Sequence, residues 1–147
     1  MSGDGAHAVG GRWNSRNHQV VYTSGNLSLA MLELLVHVGD ASELSSLEFV
    51  FHEVGFPIDA LAILREEDVP TGWNSQPVST VSQVVGDQWL EAQESVALAV
   101  PSVHIPQRYR YDPLYMNYLV NPRHPDFRSL VETGELFDLE LDDRLLK

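Results

Sequence analysis

The chain has 147 residues, enough for one domain, and 44% of them are apolar, so a core can form without crosslinks. It has no cysteine, which excludes a disulfide framework, a thiolate nucleophile and cysteine-ligated zinc or iron–sulfur sites. With 21 acidic against 9 basic residues the formal charge is −12, so most of the surface repels a phosphate backbone and no direct nucleic-acid binding is expected.

The opening "MSGDGAHAVGGRWN" lacks the basic and apolar regions of a secretory signal, and no apolar run approaches the roughly 20 residues of a membrane span. A cytoplasmic chain without membrane attachment is expected. "GDGAHAVGG" is not read as a dinucleotide fingerprint, because it neither follows a strand nor opens a helix. Arg12 and Arg16 follow a single earlier acid, Asp4, and form a local positive spot that leaves room for a nucleotide-sized ligand. The two glycines of "GGRWN" let backbone approach a ligand closely, and Arg12 can fork onto phosphate or carboxylate.

"HQVVYTS" (18–24) reads as a strand carrying Tyr22. Asn26 then caps a helix from Leu27 to about Val38 that Gly39 stops. "LEFVFHEV" (47–54) and "DALAIL" (59–64) are strands joined at Gly55-Phe56-Pro57, and 79–94 is a helix weakened by Gly86. "VALAVPSV" (96–103) is a buried strand, 105–113 a loop, and 115–121 and 136–141 further strands. Strands outnumber helices and do not alternate regularly with them, which predicts an α+β fold with a mixed, largely antiparallel sheet rather than a doubly wound parallel one. The acids of 64–68 and 132–143 read as solvated edges.

One acid stands apart. In L-S-L-A-M-L-E-L-L-V-H-V (27–38) the polar residues are Ser28, Glu33 and His37, so the helix is apolar nearly all round and is expected to be buried. A carboxylate there must pair, accept several hydrogen bonds or stay protonated. Glu33 and His37 share a stripe at i, i+4, and either His37 or Arg12 is a candidate structural partner. His37 and His124 lack a second ligand at metal spacing, so no metal is expected, and Trp13, Trp73 and Trp89 read as packing residues.

"GGRWNS", "VVYTS", the Glu33 helix ending "LVH", then "VPSV" and "NYLVNPRHPDF" together resemble the RES domain, the toxin half of bacterial Xre/RES toxin–antitoxin pairs. The likeness runs from about residue 10 to 127 of a chain read as one domain over 1–147, and leaves an acidic segment, 128–147, beyond it. It implies an ADP-ribosyltransferase-like fold and an activity that consumes NAD. Arg12 would hold its diphosphate or ribose end and Tyr22 would stack on or orient the nicotinamide side. Glu33 would steady the positively charged sugar as nicotinamide leaves. Ser102 would line the pocket, and Asn117, the first asparagine of its motif, ranks above Asn121 as a contact.

Three functions follow from these residues. In two of them the chain is a toxin that cleaves the nicotinamide–ribose bond. It then passes ADP-ribose to water or phosphate, or to a host protein such as the nucleotide-biosynthesis enzyme phosphoribosyl pyrophosphate synthetase. In the third it is a non-catalytic binding module in which Arg12 and Glu33 form a structural ion pair. A cognate Xre-type antitoxin is the implied partner, its basic patch complementing the acidic surface.

Overall fold

The computed structural model describes residues 1–37, 48–142 and 144. In chain order the elements are α1 (Asp4–Val9), β1 (Val21–Ser24), α2 (Leu27–His37), β2 (Phe49–Phe51), β3 (Val54–Gly55), β4 (Leu61–Ile63), α3 (Thr80–Ala92), β5 (Ala97–Pro101), β6 (Met116–Val120), α4 (Phe127–Leu130), β7 (Glu132–Thr133) and β8 (Phe137–Leu139). The expected α+β class holds. A four-stranded sheet runs β1-β6-β5-β4, antiparallel except for the β4–β5 pair, and two small antiparallel ribbons pair β2 with β8 and β3 with β7.

All five residues of β5 are buried, as a central strand covered on both faces requires. One face packs Leu98, Val100 and Leu119 against Trp13, Val20, Trp73 and Leu90. A second cluster gathers Ala60, Val96 and Ala97 under Phe56, Phe127 and Leu130. Trp13 and Trp73 stack with ring centroids 5.6 Å apart, and Trp89 is partly buried against the first cluster, so the tryptophans are packing residues as read.

Helix α3 begins where Ser79 accepts a hydrogen bond from the Val81 amide, close to its expected start. Its Gly86 is more than a weak point. A β-carbon there would lie 1.6 Å from the Trp13 carbonyl oxygen, so the missing side chain is what lets the "GGRWN" loop lie on the helix. Gln83 Nε2 and the Asp87 carboxylate hold the same loop through the Gly11 carbonyl and the Ser15 amide.

Several expectations need correction. The strand read over 18–24 begins at Val21. The segment read over 47–54 divides at His52 and Glu53 into β2 and β3, whose partners are different strands, and residue 47 is outside the described residues. The start of 59–64 is a 3-10 turn, Ile58–Ala60, leading into β4. "GDGAHAVGG" does open a helix, α1, although no strand precedes it. The elements α1, α4 and β7 are each six residues or fewer, too short for periodicity to announce.

Helix α2 forms as read. Asn26 Oδ1 accepts from the Leu29 amide at 2.9 Å, and its end at Val38–Gly39 lies outside the described residues. Its burial was misjudged. Leu29 is its one buried residue among those described, and Leu27, Leu32 and Val36 are exposed. The cause is topological: α2 follows β1 directly and packs on it, β1 is an edge strand, and an edge covers one stripe of a helix rather than its circumference.

Candidate active site

The β1–α2 turn fixes where Glu33 sits. The Gly25 amide donates to the Met116 carbonyl, and Asn26 Nδ2 donates to the Leu114 carbonyl, so the start of α2 is fastened to the start of β6. Any side chain at Gly25 would strike the Pro113 carbonyl oxygen, so the clasp needs glycine. Two turns later Glu33 faces the ends of β5 and β6.

There its carboxylate is surrounded. Glu33 Oε1 accepts from Ser102 Oγ at 2.7 Å and from Asn117 Nδ2 at 2.5 Å, and Oε2 lies 3.5 Å from His104 Nε2. Ser102 follows β5 directly, and Asn117 lies in β6 opposite Ser24, whose hydroxyl donates to Asn117 Oδ1 at 2.8 Å. That bond turns the amide so that its nitrogen points at Glu33. The His104 amide donates to Ser102 Oγ at 3.1 Å, which leaves the hydroxyl proton for Glu33. The carboxylate thus takes the hydrogen-bonded option open to a partly buried acid. Its side chain keeps 23% exposure and that of His104 19%, so a solute can reach both.

Arg12 and Tyr22 are placed by a second set of bonds. Tyr22 Oη donates to Asn14 Oδ1 at 2.8 Å and accepts from the Trp13 amide at 3.0 Å. Asn14 is fully buried and its Nδ2 donates to the carbonyls of Ala6, Ser15 and His18, so it organises the loop that carries Arg12. The tyrosine is 40% exposed although its hydroxyl is tied down, so the ring is what faces solvent. Burial raises the Tyr22 pKa, opposed by the Trp13 amide. Arg12 Nη1 donates to the carbonyls of Trp73 at 2.7 Å and Ser75 at 3.3 Å. Burial lowers its pKa, while Glu33 and Tyr22 push the other way. Its Nε and Nη2 have no protein partner among the described residues.

The reading in which Arg12 and Glu33 form an ion pair is corrected by this geometry. Arg12 holds backbone carbonyls, and the ionisable side chain within 4.0 Å of the Glu33 carboxylate, among the described residues, is His104. His37 does not pair with that carboxylate either, because its Nδ1 lies 2.7 Å from the Glu33 backbone carbonyl oxygen. Asn121 is buried, donates to the Leu90 carbonyl and caps the turn at Arg123, well away from Glu33 in its bonding. His124 bonds the Gln93 carbonyl. Sequence reasoning missed Asn14, Ser24 and His104. Ser24 lay inside a quoted motif, whereas His104 had only its position two residues after Ser102 to mark it.

A cleft of about 960 Å³ opens along β1 and the turn into α2, lined by Tyr22 and Ser24 together with Thr23, Phe56, Leu61 and Tyr118 among others; Arg12, Glu33, Ser102, His104 and Asn117 are not part of its wall. The described residues include no group of three or more His, Asp or Glu able to hold a metal ion, and no helix among them is long and apolar enough to cross a membrane.

The RES domain family matches residues 1–142. The chain belongs to the RES domain family. A protein of Yersinia enterocolitica named Toxin Res is 36% identical over 144 residues, covering 98% of this chain and 89% of its own length. A Sphingobium protein named Prs ADP-ribosylating toxin is 34% identical over 133 residues, covering 88% of this chain and 77% of its own. Among solved structures, the M. tuberculosis MbcT-MbcA toxin-antitoxin complex contains a chain that superposes with a TM-score of 0.66 at 16% identity, covering 95% of this chain and 76% of that one. At that identity the likeness concerns the fold, and it agrees with the α+β architecture of this RES domain.

One prediction arises from the Tyr22 anchor. Tyr22→Phe keeps the ring but leaves the buried Asn14 oxygen and the Trp13 amide without a partner, and is expected to lower stability by about 1–3 kcal/mol. Denaturant unfolding of the two proteins measures it. The pH dependence has a defined sign. A phenol held more tightly protonated in the folded state contributes stability that is complete below the unfolded value of about 10 and is lost as pH rises through the folded one. The stability gap between wild type and Tyr22→Phe should therefore narrow above about pH 10.

Proposed function

We propose that this RES protein is a toxin that cleaves the bond between nicotinamide and ribose in NAD and transfers ADP-ribose to an acceptor. The observation that carries the reading is the Glu33 carboxylate, held by Ser102 and Asn117 yet reachable from solvent, in a family with a relative named as an ADP-ribosylating toxin. Cleavage of a glycosidic carbon–nitrogen bond builds positive charge on the ribose, and a fixed carboxylate stabilises that charge more than it stabilises the ground state. Two hydrogen-bonding neighbours, Ser102 and Asn117, hold this one ready, so little reorganisation is needed when the charge appears.

The other residues have consistent parts. Arg12, with donors to spare, takes the diphosphate or ribose end of NAD, and the solvent-facing ring of Tyr22 orients the nicotinamide side. Ser102 and Asn117 bind near the ribose while they aim Glu33. The name of the Sphingobium relative favours transfer onto a macromolecule, a host protein in this reading, over hydrolysis or phosphorolysis. An antitoxin partner is proposed as well, from the complex in which the structural neighbour was solved, and an Xre-type protein with a basic surface suits the charge of −12. The site of action is the cytoplasm, where NAD is available.

The test is to incubate the purified protein with NAD and follow nicotinamide release, with and without a cell lysate, using NAD labelled in the adenylate half. Release that leaves label on a discrete protein band establishes transfer to protein. Release without a labelled band establishes a water or phosphate acceptor, and no release under any condition removes the reading.

A further inference from the structure

We propose that His104 is the general base that takes the proton from the acceptor; the inference rests on the NAD-cleaving reading of this site. When the ribose–nitrogen bond breaks, its electron pair goes to the nicotinamide nitrogen, and nicotinamide leaves neutral without needing a proton. The acceptor oxygen forms the new bond to the ribose carbon and gives up its hydrogen. One proton therefore has to be received, and it comes from the acceptor.

The geometry selects the receiver. Glu33 Oε1 already accepts two hydrogen bonds, from Ser102 and Asn117, so its lone pairs are taken up by the groups that aim it. The Tyr22 hydroxyl donates to Asn14 and holds its own proton, and Arg12 is a cation. His104 is different. Its Nε2 lies 3.5 Å from Glu33 Oε2 without a hydrogen bond between them, and its side chain keeps 19% exposure, so a molecule bound beside the carboxylate can give it a proton. Its Nδ1 has no partner among the described residues, so the tautomer with hydrogen on Nδ1 and a bare Nε2 is available.

The backbone of His104 adds a constraint. Its amide donates to Ser102 Oγ, and Ser102 donates to Glu33, so the backbone that carries the imidazole is tied to the carboxylate through the serine. The proton so received passes to solvent through the exposed edge of the ring. Among the described residues, the charged and titratable groups around the pair are Glu33 from α2, together with Arg12 from the loop after α1 and Tyr22 from β1, both of which interact electrostatically with Glu33.

The experiment uses the full chain and NAD, with a cell lysate present to supply the acceptor, and follows nicotinamide release against pH for wild type, His104→Ala and His104→Gln, and with free imidazole added to each. His104→Ala is expected to lower kcat about 10²-fold or more with little change in KM for NAD, to lose the acid-side inflection, and to regain rate with added imidazole. His104→Gln, which keeps a hydrogen-bonding side chain but cannot take a proton, should be as slow as the alanine variant. Variants with the wild-type rate and pH profile, or slow variants that imidazole does not rescue and whose pH profile is unchanged, overturn the proposal. An inert wild type, folded by circular dichroism, overturns the NAD-cleaving reading and this inference with it, and is told apart from the other outcomes by the wild type alone.

Discussion

Glu33→Gln is expected to reduce nicotinamide release from NAD by about 10²–10³-fold or more while the protein stays folded. Glutamine has the size of the acid, and its amide oxygen can still accept from Ser102 and Asn117, so the local network survives. What is lost is the negative charge facing the developing cation of the ribose. The expected signature is a fall in kcat with KM for NAD little changed, because the interaction strengthens only as the bond breaks. Side-by-side kinetics of the two proteins, with matching thermal melts, checks it. A Gln variant that retains a third or more of the wild-type rate would show that Glu33 is not the group stabilising the transition state.

The second large effect concerns the fold. Gly86→Ala would ordinarily stabilise a helix by about 1 kcal/mol, because glycine is the weaker helix former. Here the added methyl would sit 1.6 Å from the Trp13 carbonyl oxygen, a backbone atom in a loop pinned by Gln83, Asp87 and Tyr22. Overpacking of a core generally costs about 1–3 kcal/mol, and this contact cannot be relieved by turning a side chain, so the clash outweighs the propensity gain. Set against the propensity gain, a net loss of up to about 2 kcal/mol is expected, a sizeable part of the roughly 5–15 kcal/mol that holds a domain together, with a fall of several degrees in Tm. Thermal unfolding by circular dichroism measures it, and an unchanged or higher Tm would mean that the loop does not press on α3 as described. The same substitution should weaken NAD cleavage, since Arg12 rides on that loop next to Trp13.

The two effects bear on how much a reader of the sequence can recover. The elements with a strong local signature were legible: β5 from the run "VALAVPSV", α3 from the stretch 79–94, α2 from Asn26 and the apolar stretch after it. The α+β class followed from the irregular order of strands and helices. The burial of α2 was not legible, because a sequence says how greasy a helix is and not which strand of the sheet it rests on. Gly86 looked like a helix weakness, since its true neighbour, Trp13, is 73 residues away in the chain.

The site divides in the same way. Glu33 drew attention by itself as an acid in an apolar helix, whereas Ser102 and Asn117 were marked by resemblance, and the structure brings all three into bonding contact. Arg12 and Tyr22 are held near them without bonding to Glu33, and the alternative of an Arg12–Glu33 ion pair is not formed because Arg12 reaches the carbonyls of Trp73 and Ser75, which leaves no trace in spacing. His104 was invisible for a related reason. It sits in an irregular loop where neither periodicity nor composition singles out a residue, and only the path of the chain past Ser102 turns it toward the acid.

The bond between Asn117 and Glu33 spans 84 residues of sequence. A ribosome adding about 5–20 residues per second makes Glu33 about 4–17 s before it makes Asn117, and β1 must wait as long for β6 to pair with it. Throughout that interval the nascent chain carries Arg12, Tyr22 and Glu33 as unassembled parts. Order of synthesis therefore acts as a delay: Glu33 is made early in translation and meets Ser102 and Asn117 only after β5 and β6 have followed.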